Sequence, residues 1–445
     1  LKEKSKGNLL GIIAQFGGQT PIKLAKFLHE NSLPIIGTQY SSIDLAEDRD
    51  RFRKLLIKLN LKQAESGIAK TYNEAIQIAE KIGLPLMVRP SYVLGGRAME
   101  IVHEKDQLKD FVEEAFKAGE NNPILIDKFI SNAMEVDVDA ISDGNKVFVA
   151  GIMQHIEEAG IHSGDSACVL PPYRITKEAL DEIIRITKAL ALELKVIGLI
   201  NLQFAYKDGQ VFVLEVNPRA SRTVPFVSKA TNVPLARIAS QIAAGAKLSD
   251  FKLKNWYDIK HIAIKEAVLP FNKFPEESTY LSPEMKSTGE VMGISKTMGE
   301  SFRRASISAG NIIPDKGTVF ISVNNADKLD LISIARDFIE LGFKIVATTG
   351  TAIELNRNGL HADSIFKAGE GRPNVVDAIK NGEINLVINT PMGAQSRYDE
   401  AAIGKACIHK GIVAITTLSG AEAALRAIRV GGNKISVKSI QSYHN

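Results

Sequence analysis

Two runs of alternating apolar residues, 197–206 and 210–216, flank Lys207-Asp208-Gly209, whose Asp-Gly pair reverses a chain sharply. The pattern predicts an antiparallel hairpin. A lone hairpin is marginal in water, so these strands require a larger sheet and a second layer to cover its apolar face. Period-two runs between residues 124 and 153, broken by the turn sequence Ser142-Asp143-Gly144-Asn145, supply more antiparallel strands. A helical stretch at 177–194 supplies a covering layer, and the part implied is a mixed α+β unit.

A different rhythm begins after the breaker run Pro314-Asp315-Lys316-Gly317. Strand patterns at 318–323, 344–347, 386–389 and 412–415 alternate with helical ones at 327–341, 351–358 and 401–410. Such alternation predicts a doubly wound parallel sheet. At the other end, a strand to Gln15, a helix at 21–30 and a strand at Pro34-Ile35-Ile36-Gly37 read as part of an α/β unit. Helices at 46–59 and 72–82 lead to strands at 85–88 and 98–103, joined by a glycine loop. The expected division is a partial α/β domain (1–43), a mixed domain (44–272), a loop-rich extension ending in a helix (273–315) and a parallel-sheet domain (316–445). The 445 residues fit that division, since about 150 residues per domain gives two to four domains.

Basic residues exceed acidic ones by 4 without any dense Lys/Arg block, which argues against a nucleic-acid partner. Cys168 and Cys407 stand alone without metal-ligand spacing, pointing to a reducing compartment, with cytoplasm the default. Apolar stretches such as 147–153 fall short of the roughly 20 residues that cross a bilayer, so no membrane helix is expected. The opening residues make a poor signal peptide, and the chain reads as if it begins inside a folded unit.

Chemistry concentrates at the hairpin. Glu215 and Asn217, two apart on one strand, point the same way, and Gln203 on the partner strand can face them. One carboxylate and two amides form an oxygen-only donor set suited to Mg2+. The bland alternative is a solvated Glu215 paired with Arg219, but Asn-Pro-Arg is a costly way to end a strand. Arg89 precedes Gly95-Gly96, where backbone amides can approach phosphate, although Gly-Gly is also an ordinary turn. The polar run 158–168 looks built for contact; within it His162 and Cys168 read as structural rather than nucleophilic. Thr348-Thr349-Gly350-Thr351 ends a strand and enters a helix, serving either as an anion site or as a simple helix cap.

Four motifs carry a closer resemblance: Phe16-Gly17-Gly18-Gln19-Thr20-Pro21, residues 89–99 with Arg89-Pro90-Ser91-Tyr92, His162-Ser163-Gly164-Asp165-Ser166, and residues 215–226 beginning Glu215-Val216-Asn217-Pro218-Arg219. Together they resemble the carboxy-terminal half of the carbamoyl-phosphate synthase large-subunit family, over essentially the whole chain. The resemblance implies an ATP-grasp fold followed by a methylglyoxal-synthase-like allosteric domain. It also implies that ATP phosphorylates carbamate, delivered through a tunnel from an amino-terminal half absent here, with a glutaminase small subunit as further partner. Pyrimidine and arginine biosynthesis would consume the product.

Carried onto this chain, the resemblance assigns Gln203, Glu215 and Asn217 to Mg2+ or Mn2+, and Arg89 to the phosphates of ATP. Main chain at Lys128 and Ile130 would read adenine and Glu135 the ribose, while Gly95, Gly96, Gly160, Ile161, His162 and Ser163 would line the nucleotide. Arg219 and Arg222 would face carbamate and the moving phosphoryl group, and the Gly95-Gly96 loop would be a lid. Lys328, Thr348, Thr351, Lys367, Asn389 and Thr390 would hold an effector nucleotide such as UMP or IMP. Glu157, Asp165, Glu266 and Thr416 would hold ornithine. Two other readings use the same residues: a different ATP-grasp carboxylate ligase, or an inert segment that only senses nucleotides.

Overall fold

The structure is a computed structural model and describes residues 2–444, apart from 91–98, 120–121, 272, 275–280, 391–393 and 432–436. Among the described residues the strands form three sheets. The first contains β1 (Ser66–Ala69), β2 (Leu86–Pro90), β3 (Glu100–Val102) and β4 (Ile124–Lys128), antiparallel in the order β1-β4-β2-β3. The second contains β5 (Met134–Asp143), β6 (Val147–Glu158), β7 (Cys168–Leu170), β8 (Ile197–Lys207), β9 (Gln210–Asn217), β10 (Ile262–Val268) and β11 (Gly289–Ser295), in the order β11-β10-β7-β6-β5-β8-β9. The third contains β12 (Thr318–Val323), β13 (Lys344–Thr348), β14 (Asp363–Ile365), β15 (Leu386–Thr390) and β16 (Val413–Ile415), all parallel in the order β14-β13-β12-β15-β16.

Local chemistry explains the element boundaries. The β5–β6 turn is fixed by Asp143, whose Oδ1 accepts from the amides of Asn145 (3.0 Å) and Lys146 (2.7 Å). Helix Lys177–Glu193 starts at Thr176, whose hydroxyl accepts from the Ala179 amide, and it lays Ala179, Ile183, Ile186 and Leu190 on the seven-stranded sheet at three- and four-residue spacing. The single helix expected at 46–59 is instead two, Tyr40–Glu47 and Arg49–Lys58. Asp48 breaks it by adopting extended backbone and capping the second helix through the Arg51 amide at 2.9 Å. The passage expected to be loop-rich at 273–315 contains β11, which pairs with β10 from end to end.

The core of the seven-stranded sheet gathers Phe204, Ile152, Leu190 and Trp256. A second core runs without interruption from Ile156, Val169 and Ile264 of that sheet, through Met298 and Phe302 of helix Met298–Ser308, to Val319 and Ile321 of the parallel sheet. The two domains therefore share apolar packing. Ser419, in helix Leu418–Val430, donates to the Ile156 carbonyl across the same junction. No helix among the described residues is long and apolar enough to cross a membrane.

Candidate active site and effector sites

The four-stranded and seven-stranded sheets face one another across a cleft of about 1860 Å³. Its floor is built from β5, β8 and β9, whose register sets side chains in rows. Asp137 pairs with Gln203 and Gln203 with Glu215; one step on, Asp139 pairs with Asn201 and Asn201 with Asn217. Period two then places both rows on one face. The second strand carries an extra residue, because Phe204 pairs with Val213 while Gln203 pairs with Glu215, leaving Leu214 as a bulge. The bulge lets Val213 stay in the core while Glu215 lines the cleft.

Positive charge gathers around the single carboxylate of Glu215. Arg49 Nη2 lies 3.8 Å from Glu215 Oε2, and Arg219 Nη2 donates to Asn217 Oδ1 at 2.9 Å. Burial pushes the Glu215 carboxyl up, but Arg49, a hydrogen bond with Asn217, Arg89 and Arg219 outweigh it and hold the group below its ordinary value. The neighbouring Arg89, then burial, lowers the Arg49 guanidinium, a sign of crowded cations. Arg89 itself pairs with Asp127 of β4. Three guanidinium groups acting on one carboxylate prepare this part of the cleft for a polyanion.

Every described residue expected at the nucleotide lines this cleft: Arg89, Lys128, Ile130, Glu135, Gly160, Ile161, His162, Ser163, Gln203 and Glu215. So do Asn217, Arg219 and Arg222, whereas Gly95 and Gly96 lie outside the described residues. Lys128 sends its ammonium to the carbonyls of Gly83 (3.0 Å) and Leu84 (2.7 Å). Burial lowers the His162 imidazole below its ordinary value, and its Nδ1 accepts from the Gly164 amide. Glu135 is pushed by burial to about 7. Arg222 meets the thioether of Met285.

Arg49, Asp137, Asp139 and Lys265 are the residues that sequence reasoning missed. Glu135-Val136-Asp137-Val138-Asp139 held the signal, since three acids at period two in a strand belong to one face. His155 Nε2 lies 3.1 Å from Asp137 Oδ2, and Lys265 Nζ donates to the Ser163 carbonyl at 2.9 Å.

In the parallel sheet, Thr348, Asn389 and Thr390 stand at the carboxyl ends of β13 and β15, Lys367 follows β14, and Lys328 opens helix Lys328–Glu340. Thr348 Oγ1 donates to Thr351 Oγ1 at 3.2 Å without capping the helix that follows it. Lys328 Nζ lies 3.5 Å from where a side chain on Gly350 would begin. All of them lie at or just beyond the carboxyl ends of the strands of an open parallel sheet, where such folds bind ligands.

Near the domain junction, the half-buried Glu157 raises the half-buried Glu266. Asp165 is engaged elsewhere, accepting from the amides of Lys286 and Ser287, both at 2.8 Å. Thr416 precedes Thr417, which caps helix Leu418–Val430. Burial first, then Glu157, pushes Glu266 up to about 8 against the opposing charge of Lys265. The folded state therefore holds a proton that the unfolded chain releases near 4.5, so this group's favourable contribution is present below that pH and is lost as pH rises to about 8. Glu266→Gln should change urea stability little at pH 4 and raise it at pH 8. Equal effects at both pH values would refute the coupling.

Comparison with known proteins places this geometry. Residues 48–251 match the family described as carbamoyl-phosphate synthase L chain, ATP binding domain, and residues 330–416 match the MGS-like domain. The fold resembles the biotin carboxylase domain of 2-oxoglutarate carboxylase from Hydrogenobacter thermophilus (TM-score 0.53, 19% identity, 65% of this chain and 70% of that one). It also resembles Rhizobium etli pyruvate carboxylase (TM-score 0.55, 15% identity, 69% of this chain and 30% of that one). The architecture is thus an ATP-grasp fold with a parallel-sheet MGS-like domain attached. Among curated relatives, the carbamoyl phosphate synthase large chain of Archaeoglobus fulgidus is 54% identical over 98% of this chain and 40% of its own length. The separate carboxy-terminal section of that large chain in Aquifex aeolicus is 49% identical over 98% of this chain and 85% of its own length; that of Methanocaldococcus jannaschii is 48% identical over 99% and 73%. The chain belongs to the carbamoyl phosphate synthase large-chain family, an ATP-grasp ligase family.

Proposed function

We propose that this chain uses ATP to phosphorylate carbamate, releasing carbamoyl phosphate and ADP. The observation that carries the reading is the convergence of Arg49, Arg89 and Arg219 on Glu215, beside Gln203 and Asn217, in a cleft large enough for a nucleotide. Phosphoryl transfer asks little covalent work of a protein: alignment and charge neutralisation suffice. Carbamate is already an anion, so its oxygen attacks the γ-phosphorus without a general base, and the bond to the ADP oxygen breaks. Arg89 and Arg49 hold the phosphates, and Arg219 and Arg222 orient carbamate. Main chain at Lys128 and Ile130 meets adenine and Glu135 meets the ribose.

The donor set suits a divalent ion. Gln203, Glu215 and Asn217 offer only oxygen-bearing or amide groups, and the arginines keep Glu215 ionised, so these three would hold Mg2+ or, by the same donor chemistry, Mn2+. When bound, the ion would neutralise phosphate charge and help fix the nucleotide.

The chain spans 40% of the Archaeoglobus large chain, so the complete synthase reaction belongs to a larger assembly. We assign residues 1–43, 44–272, 273–315 and 316–445 to an α/β segment preceding the ATP-grasp unit, the ATP-grasp unit itself, the extension and the sensor domain, respectively. An amino-terminal half and a glutaminase small subunit supply carbamate, in the cytoplasm, for pyrimidine and arginine biosynthesis. Glu157, Asp165, Glu266 and Thr416 are assigned to ornithine. The test is the reverse reaction: the chain with MgADP and carbamoyl phosphate should form ATP, dependent on both. Absence of ATP would overturn the reading.

Nucleotide sensing has its own test. UMP or IMP should raise the thermal midpoint of the chain through the site at Lys328, Thr348, Thr351, Lys367, Asn389 and Thr390, as expected for a ligand that binds only the folded state. The Thr348→Ala, Thr351→Ala double variant should lose that shift, and an intact shift would remove these residues from the pocket.

A further inference from the structure

Arg219 and Arg222 sit on the loop between β9 and helix Val224–Thr231, and long side chains on a loop have little intrinsic aim. The loop is nevertheless held at both ends by buried polar groups. On one side, Gln15 is 1% exposed; its Nε2 donates to the Pro218 carbonyl at 2.9 Å, and its own carbonyl accepts from the Ala220 amide at 2.9 Å. The same Nε2 donates to Thr38 Oγ1 at 2.6 Å, and Thr38 accepts from the Ile197 amide at 3.0 Å, tying the amino-terminal segment to the start of β8.

The carboxamide fits only because Gly37 and Gly198 flank it. Both adopt positive φ, +92° and +110°, and a side chain on either would begin 2.7 or 2.8 Å from Gln15 Oε1. Two glycines and a buried amide are thus committed to one contact with the arginine loop.

On the other side, Asp139 is wholly buried. Its Oδ1 accepts from Ser221 Oγ (2.7 Å) and Asn201 Nδ2 (3.0 Å), and its Oδ2 accepts from Thr223 Oγ1 (2.7 Å). Bound to one carboxylate, the Ser221 and Thr223 hydroxyl oxygens lie 2.8 Å apart. Arg222 is bracketed by these hydroxyls, while Arg219 lies between the two main-chain groups that Gln15 grips. A buried carboxylate is a poor choice for stability alone, because apolar replacements of such groups are often neutral or stabilising. It is a good choice for fixing direction.

We propose that Gln15 and Asp139 are positioning residues that clamp the loop 218–223 from opposite sides and set the aim of Arg219 and Arg222 at the reacting group. This rests on the carbamate-phosphorylating reading. It makes the amino-terminal segment part of the reaction apparatus rather than a passive neighbour of it, and it places the effect on the carbamate side rather than the nucleotide side.

The test measures ATP formation by the full chain from carbamoyl phosphate and MgADP. Gln15→Leu should lower kcat by up to about a hundredfold, since small misplacements of reacting groups cost that much. KM for carbamoyl phosphate should rise, while KM for ADP should stay within about twofold because Arg89 and the main chain at 128–130 are untouched. Asp139→Leu should match that loss, and Asp139→Asn should recover most of it, since an amide still accepts from Ser221 and can donate to Thr223. Should Asp139→Leu fail to fold, the Ser221→Ala, Thr223→Val double variant removes the same bonds from the loop side and should show the same split. Unchanged kinetics in Gln15→Leu would overturn the proposal, as would a rise in KM for ADP in step with that for carbamoyl phosphate. An inactive wild-type chain would instead sink the underlying functional reading.

Discussion

Glu215→Gln should lower ATP formation from carbamoyl phosphate and MgADP by on the order of a thousandfold, a loss expected when a principal electrostatic element of a phosphoryl-transfer site is removed. The substitution keeps shape and removes charge. Arg49, Arg89 and Arg219 would then crowd one another without the carboxylate they surround, and Arg49 is already lowered by Arg89 and by burial. Among the predicted metal donors, Gln203 and Asn217 remain as neutral amides, so affinity for Mg2+ should fall with the rate. The discriminating measurement is rate against Mg2+ concentration. Half-saturation should move to higher Mg2+ and the plateau should stay low. Activity within tenfold of wild type at saturating Mg2+ would remove Glu215 from the metal site. The thermal midpoint should fall, but far less than for a core cavity, because Glu215 is a partly exposed cleft residue whose ion pair with Arg49 is long, at 3.8 Å.

Much of this architecture was legible because local signals agreed with the global fold. The helix expected at 72–82 is found at Tyr72–Ile82, and the strand expected at 318–323 at Thr318–Val323. Both are bounded by strong cues, the Thr71 cap in the first case and the Pro-Asp-Lys-Gly breaker in the second. Legibility failed where one residue was asked to satisfy two neighbours. In β9, strict alternation from the buried Val211 and Val213 would turn Glu215 and Asn217 toward the core; only the bulge at Leu214 restores them to the cleft. Nothing in the local sequence announces that bulge, since it is set by pairing with β8.

Arg49 was obscure for a different reason. In Asp48-Arg49-Asp50-Arg51 it reads as one charge of a solvated helix, and only the break at Asp48 starts a new helix at Arg49, beside Glu215. Lys265 was hidden because apolar strands normally exclude charge, and Asp139, although its face could be read from three acids at period two, gave no sign of its burial. Their tolerance depends on partners brought from distant segments, namely Ser221 and Thr223 for Asp139 and the Ser163 carbonyl for Lys265. Long-range satisfaction of a buried polar group is a property of the assembled sheet, beyond the reach of any window of sequence.

The second large effect concerns stability and can be separated cleanly from the first. Phe204 follows Gln203 on β8, so it faces the opposite side of the sheet and is fully buried in the core that also contains Ile152 and Leu190. Phe204→Ala should cost about 3–5 kcal/mol, because the lost burial is joined by a cavity that a central strand cannot collapse to fill. That is a large part of the roughly 5–15 kcal/mol that holds a typical domain together. The chain has several domains, so a global signal would mix their transitions. Its one tryptophan, Trp256, is buried in the same apolar cluster as Phe204 and gives a local probe of this unit. Urea unfolding followed by Trp256 fluorescence should show an early midpoint in Phe204→Ala and a far smaller shift in Glu215→Gln. If Phe204→Ala costs less than about 1 kcal/mol, within the range of surface substitutions, then β8 is not the packed support of the cleft floor. With the expected loss, the strand that aligns Asn201 and Gln203 is held by the core beneath it, and the same residue run that displays the polar rows on one face secures them from the other.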